Sequence, residues 1–231
     1  MLVHGAGGTH LHWPEALRRL SGRRVLAVDL PGHGGSPPPG ERAVPAYARR
    51  IVDLLDALGI ERAAVGGHSM GGAIALTLAL DAPERVAGLL LVGTGARLRV
   101  APAFLQAWAD PARASELATA AAGFFFGAGA SPELLRAFAE GMAAVAPGVV
   151  HGDFTACDAF DVMARLGEIR APVRVVVGAA DQLTPLKYST LLRDRLSCEG
   201  FLVVPGAGHM VTWEAPGAVT REGASLVAVT R

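Results

Sequence analysis

Five short stretches of the chain are apolar almost without interruption: VLAVDL (25–30), AAVGGH (63–68), VAGLLLVG (86–93), VRVVVGA (173–179) and GFLVVPG (200–206). Runs of that length, rich in β-branched residues, are what strands covered on both faces of a parallel sheet require. Between them lie segments of helical periodicity at 13–20, 46–58, 70–80, 187–196 and 215–229, each long enough to carry the chain back to a parallel neighbour. With a further short strand at 1–3, the alternation predicts an α/β fold built on a doubly wound, mostly parallel sheet. It breaks once. From about 97 to 170 the stretches FLQAWAD, ELATAAAGFFFGAGA, ELLRAFAEGMAAV and CDAFDVMARLGEI follow one another with no strand between them. That predicts a helical insertion (97–170) in a core made of 1–96 and 171–231.

Composition narrows the partners. Twenty-one basic residues balance twenty-one acidic ones, so no general field draws nucleic acid or an anionic membrane surface. Mean hydropathy is +0.36 and 51% of residues are hydrophobic, yet no run reaches the roughly 18–20 apolar residues of a membrane span. The expected partner is therefore a small molecule, with no nucleic acid and no membrane. Met1-Leu2-Val3 runs into His4-Gly5 without the charged, apolar and cleavage regions of a signal peptide, and the expectation is a cytoplasmic chain. Cys157 and Cys198 lie far apart, outside any CxxC, and are expected to be reduced thiols.

The chemistry gathers at strand ends. VGGHSMGGA (65–73) places four glycines around Ser69, and Gly67-His68-Ser69-Met70-Gly71 matches G-x-S-x-G where strand 63–68 passes into helix 70–80. Glycines without a Cβ let strand and helix approach closely, leaving the serine hydroxyl exposed at the positive end of a helix. A serine hydroxyl needs a base, and the base needs a carboxylate. GAADQLTP puts Asp181 after strand 173–179, and PGAGHM puts His209 after strand 200–206, so all three side chains leave the carboxyl edge of one sheet. Asp153 is the next candidate for the carboxylate. HGAGG (4–8), after strand 1–3, leaves backbone N–H groups free to face a reacting oxygen; Ala6 and Met70 N–H are the expected pair of oxyanion donors. The loop lacks the GK[ST] of a phosphate loop and the spacing of a dinucleotide fingerprint, so no nucleotide site is expected. HLHW (10–13) lacks a third ligand for a metal; His10, His12 and Trp13 are expected to line the pocket mouth or cap the next helix.

HGAGG (4–8), DLPGHGGS (29–36), GGHSMGG (66–72), GAADQLTP (178–185) and GAGHM (206–210) together resemble the α/β-hydrolase superfamily across nearly the whole chain, including its Ser–Asp–His order. The resemblance implies Asp29 and His33 as turn residues and the insertion as a helical lid. It implies serine chemistry of the small esterase and enol-lactonase kind, because haloalkane dehalogenases and epoxide hydrolases carry aspartate where this chain has Ser69. The expected function is hydrolysis of a carboxylic ester or lactone of a small, mostly apolar substrate through an acyl-enzyme, with no metal and no organic cofactor. Two alternatives stay open: C–C bond hydrolysis or lyase chemistry on the same triad, and a ligand-binding sensor with negligible turnover. In the lid, Leu105, Trp108, Phe124, Phe125, Phe126, Phe138 and Met142 offer apolar surface for the substrate or for the lid's own core. One departure stands out. The family usually has two strands before its HG loop, and here strand 25–30 is therefore expected at a sheet edge, covered by a second copy of the chain, by a rearranged loop or by residues outside this sequence.

Overall fold

The computed structural model describes residues 1–230. Strands β1 (Leu2–Val3), β2 (Ala27–Val28), β3 (Ala63–His68), β4 (Val86–Val92), β5 (Val173–Gly178) and β6 (Cys198–Val204) form one sheet in the order β2-β1-β3-β4-β5-β6. Every pairing is parallel. From β1 the chain steps outward to β2, then returns to the other side of β1 at β3. The loops after β1 and β3 thus diverge, opening a crevice at the carboxyl edge, which is where sheets of this kind bind ligands.

Alternation along the central strands divides the core into two layers. Leu89, Leu91 and Val175 face a cluster with helices α2 (Val44–Ala57) and α3 (Met70–Asp81), whereas Leu90, Val92 and Val176 face α1 (Glu15–Arg18) and α10 (Pro216–Val229) through Leu17, Val219 and Leu226. Each strand is therefore covered on both sides, which explains the near-continuous apolar runs. Helix α3 is buried at every position from Met70 to Leu80, so its sequence shows no polar face. Helices α8 (Leu186–Arg195), α9 (Val211–Glu214) and α10 complete the carboxyl-terminal part.

Between β4 and β5 run α4 (Pro102–Trp108), α5 (Ala114–Phe125), α6 (Pro132–Ala143) and α7 (Pro147–Ala159), with no strand among them. An antiparallel bridge between Arg97 and Asp161 joins the two ends of this insertion. Two local expectations shrink. The helix expected over 13–20 is the single turn α1, which follows a 3-10 turn at His10–His12 and is capped at Arg19, ahead of a turn with Gly22 at φ +70°. The strand expected over 25–30 lies at the edge, where its one neighbour is the two-residue β1, and pairs only at Ala27 and Val28. Among the described residues no helix is long and apolar enough to cross a membrane.

Candidate active site

Ser69 joins β3 to α3 at φ +54° and ψ −118°, the only residue other than glycine at positive φ among those described. A side chain in that region is strained, and the strain persists because the surroundings over-determine it. Ser69 N–H donates to Val92 O at 2.9 Å, and its carbonyl accepts from Thr94 Oγ1 at 2.8 Å and from Gly72 N–H at 2.9 Å. The glycines act by letting backbone meet backbone: a Cβ on Gly67 would collide with the Gly71 carbonyl and Gly72 N, and one on Gly71 with the carbonyls of Val3 and His4. Neither obstacle can rotate away. Gly67→Ala should therefore cost upward of about 3 kcal/mol, to be read as a large fall in melting temperature or in soluble yield; a melting temperature within a degree or two of wild type would refute this account of the turn.

Asp181 and His209 meet as their strand ends require. His209 Nδ1–H donates to Asp181 Oδ2 at 2.9 Å, with both side chains almost wholly buried. Asp181 Oδ1 accepts from Leu183 N–H and Thr184 N–H, each at 2.9 Å, and Oδ2 accepts from Thr184 Oγ1 at 2.8 Å. Burial opposes ionisation of Asp181, but the charge of His209 and these hydrogen bonds outweigh it and hold the carboxyl below its ordinary range. The remaining ring nitrogen, His209 Nε2, is buried and has no protein partner among the described residues. Gly93 backs the pair at φ +52°, a backbone conformation that favours glycine, and a Cβ there would stand 3.3 Å from the His209 carbonyl. Thr184 escaped the sequence reading, although Asp–x–x–Thr is the local pattern that lets a carboxylate collect N–H and O–H donors within one turn.

Ser69, His209 and Ala6 line one cavity of about 430 Å³. The HGAGG loop lies directly against the serine, since a Cβ on Gly5 would be 3.0 Å from Ser69 Cβ. Ala6 N–H and Met70 N–H donate to no protein acceptor among the described residues. The cavity's other walls are chiefly apolar and aromatic, with Phe104, Phe124, Phe125 and Phe154 from the insertion and Leu183 from the loop after β5. Of the seven insertion residues singled out in the sequence, Phe124 and Phe125 reach this cavity. Trp108, Phe126, Phe138 and Met142 are buried in the main core, and Leu105 packs on it. Cys157 also lines the cavity, where burial pushes its thiol pKa up and disfavours the thiolate.

His10, His12 and His68 hold structure. His68, beside the serine, lies 2.9 Å through Nε2 from the His209 carbonyl, and burial, aided by the charge of His209, lowers its pKa to about 3. His10 bonds Asp29 through both its N–H and its ring, and Asp29 also accepts from Gly35 N–H at 3.0 Å, as a turn residue should. His12 is buried against Phe138 and Trp213, with its pKa lowered by burial to about 4, and Trp13 is buried in the second core layer. None of His10, His12 and Trp13 lines the cavity of Ser69, because the chain turns inward after Thr9, which caps the 3-10 turn. Among the described residues no group of three or more His, Cys, Asp or Glu side chains is arranged to hold a metal.

Asp153 does not meet His209. It is fully buried, with Oδ2 2.8 Å from His33 Nε2 and Oδ1 accepting from Tyr47 Oη at 2.6 Å. Burial disfavours the charged imidazole of His33, but the hydrogen bond and charge of Asp153 win and raise its pKa above the ordinary value. A raised folded pKa contributes stability that is complete below the unfolded histidine value of about 6.5 and is lost as pH rises through the folded value. The melting temperature of wild type should thus decline above neutrality, and the decline should be shallower in His33→Gln. Parallel curves for the two proteins would disprove the assignment. Asp181, with its depressed pKa, acts in a separate acid window: its contribution is lost only as pH falls through that value.

A strained serine at a strand–helix elbow, an Asp–His pair at neighbouring strand ends and a cavity at the switch point of a parallel sheet are the features of α/β-hydrolase-fold enzymes. The chain belongs to that family: the sequence model of the alpha/beta hydrolase fold matches residues 1–216. It is 34% identical over 222 residues to a putative carbamate hydrolase of Variovorax paradoxus, covering 90% of this chain and 84% of that protein. It is 32% identical over 242 residues to the dihydrolipoyllysine-residue acetyltransferase component of the acetoin cleaving system of Pseudomonas putida; the match covers 96% of this chain but only 61% of that longer relative. Among solved structures, a thermophilic esterase superposes with a TM-score of 0.85 at 31% identity, covering 98% of this chain and 88% of that one.

Proposed function

We propose that this hydrolase cleaves the carboxylic ester or lactone of a small, mostly apolar substrate, with Ser69 as nucleophile, His209 as general base and acid, and Asp181 as the carboxylate that orients His209. The observation that carries the reading is the buried Asp181–His209 pair, in which Nε2 has no partner and His209 lines the same cavity as Ser69. Ser69 Oγ attacks the carbonyl carbon while His209 Nε2 takes its proton; the negative oxygen of the tetrahedral intermediate accepts from Ala6 and Met70 N–H. Collapse breaks the bond to the leaving oxygen, which receives the proton from His209. Water then attacks the acyl-enzyme with His209 as base again, releasing the acid and restoring Ser69. No metal or organic cofactor takes part. The segment 97–170 acts as a lid over the core of 1–96 and 171–231, and its four cavity-lining phenylalanines favour an apolar acyl or aromatic group.

Two measurements test this reading. A fluorophosphonate probe should label the wild-type protein stoichiometrically, and chromogenic esters of rising acyl length should turn over up to a cut-off set by the cavity. A folded protein that takes no label would rule out the serine mechanism. Aryl carbamates of matched size belong in the same panel, since faster turnover of carbamates than of esters would move the substrate class while keeping the chemistry.

A further inference from the structure

Gly5, Ala6, Gly7 and Gly8 form a β-turn closed by Gly8 N–H donating to Gly5 O at 3.1 Å, with Gly7 at φ +62°. The central peptide of such a turn, here Ala6 C=O to Gly7 N–H, is the unit whose reversal separates the two common turn types, and a positive φ at the third residue marks one of them. In this chain that peptide is gripped. Gly7 N–H donates to Asp153 Oδ2 at 2.8 Å across 146 residues of sequence. The same carboxylate is held by His33 at 2.8 Å and by Tyr47 at 2.6 Å, so it is fixed from three segments at once. His33 lies 3.0 Å through Nδ1 from the Pro31 carbonyl and 2.8 Å through Nε2 from Asp153. Each ring nitrogen thus faces an oxygen, and the hydrogen bond and charge of Asp153 favour the protonated ring of His33. An ionised acceptor makes the stronger bond to an amide.

We propose that Asp153 is a positioning residue for the reaction: by holding Gly7 N–H it fixes the turn that directs Ala6 N–H at the developing oxyanion, and this rests on the serine-hydrolase reading above. Asp153 stands on α7, within the helical insertion, while the turn belongs to the core. The oxyanion site is therefore complete only when the insertion is seated on the sheet. Met142 and Val150 of the same insertion press on Gly7 from outside, since a Cβ there would lie 3.2 Å from Met142 Cε and 3.7 Å from Val150 Cγ1. Ala6, the residue before Gly7, lines the cavity of Ser69.

The test compares Asp153→Ala, Asp153→Asn and Tyr47→Phe with wild type, counting active sites by fluorophosphonate titration. For each it measures kcat and KM on one chromogenic ester, the affinity of an arylboronic acid that mimics the tetrahedral intermediate, and the melting temperature. Loss of one oxyanion donor costs about 10²–10³-fold in turnover, so Asp153→Ala should lower kcat per titrated site by about 10²-fold with KM little changed. Boronic acid affinity should fall in proportion. In Asp153→Asn the amide oxygen still accepts from Gly7 N–H, and kcat should recover to within about tenfold of wild type although the ion pair is gone. Tyr47→Phe removes a bond to the other carboxylate oxygen but leaves the one that accepts from Gly7 N–H; it should lower the melting temperature and lower kcat far less than Asp153→Ala does.

A purely structural Asp153 would instead make kcat follow the melting temperature through the whole series, and that result overturns the proposal. So does wild-type kcat per titrated site in Asp153→Ala, or a rise in KM alone. Should Asp153→Ala leave a buried imidazolium that prevents folding, Asp153→Leu/His33→Leu takes its place, because replacing both members of a buried pair leaves no lone charge. The same fall in kcat is expected there. Unlabelled wild type would bring down the serine-hydrolase reading itself, whereas labelled wild type with undiminished Asp153 variants brings down this inference alone.

Discussion

Ser69→Ala should abolish fluorophosphonate labelling and lower ester turnover by at least about 10³–10⁴-fold, because the catalytic set acts as a unit and only binding and the oxyanion donors remain. The fold should survive. The Ser69 hydroxyl has no protein hydrogen bond to lose among the described residues, and alanine meets the same backbone strain at φ +54° because it keeps the Cβ. A melting temperature close to wild type together with lost labelling is therefore the expected pair of results. Turnover near the wild-type level in a purified Ser69→Ala protein would remove Ser69 from the mechanism and the acyl-enzyme with it.

Asp181→Asn should be nearly as damaging, by roughly 10⁴-fold in kcat. The reason is a tautomer rather than a lost contact. An asparagine oxygen at the Oδ1 position can still accept from Leu183 and Thr184 N–H. Its amide nitrogen then faces His209 Nδ1, donor against donor, where the carboxylate now accepts at 2.9 Å. The ring should relieve the conflict by moving its proton to Nε2, the nitrogen that takes the proton of Ser69 in the proposed mechanism. Circular dichroism should show an intact fold, and KM should change little. A mild effect would mean that His209 draws its orientation from elsewhere, and Asp153 is not available for that: its oxygens are taken by Gly7, His33 and Tyr47.

The parts of the molecule that were legible in the sequence are those set by neighbours along the chain. Period-two and period-3.6 patterns report burial of one face or two, so β3 appears at 63–68 and α3 within one residue of its end. The elbow was legible because the close approach of β3 and α3 excludes a Cβ at Gly67 and Gly71, a requirement written into the sequence itself. Asp181 and His209 were legible because parallel strands all present their following loops at one edge of the sheet. Elements with one neighbour or few contacts, such as β2 and α1, came out longer in the sequence than in the fold, since apolar content marks a tendency to be buried and pairing needs a partner of matching length.

By itself, then, the sequence determined the parallel sheet, the glycine-framed turn at Ser69 and the strand ends that carry Asp181 and His209. Tertiary structure alone decided which phenylalanines of the insertion face the cavity and which fill the core. It also decided that Asp153 belongs to His33, Tyr47 and Gly7 rather than to His209. The physical reason is range. A hydrogen bond closed across 106, 120 or 146 residues leaves no periodicity and no local spacing behind, so a buried carboxylate can be recognised as structural or positioning only when the segments that surround it have been brought together.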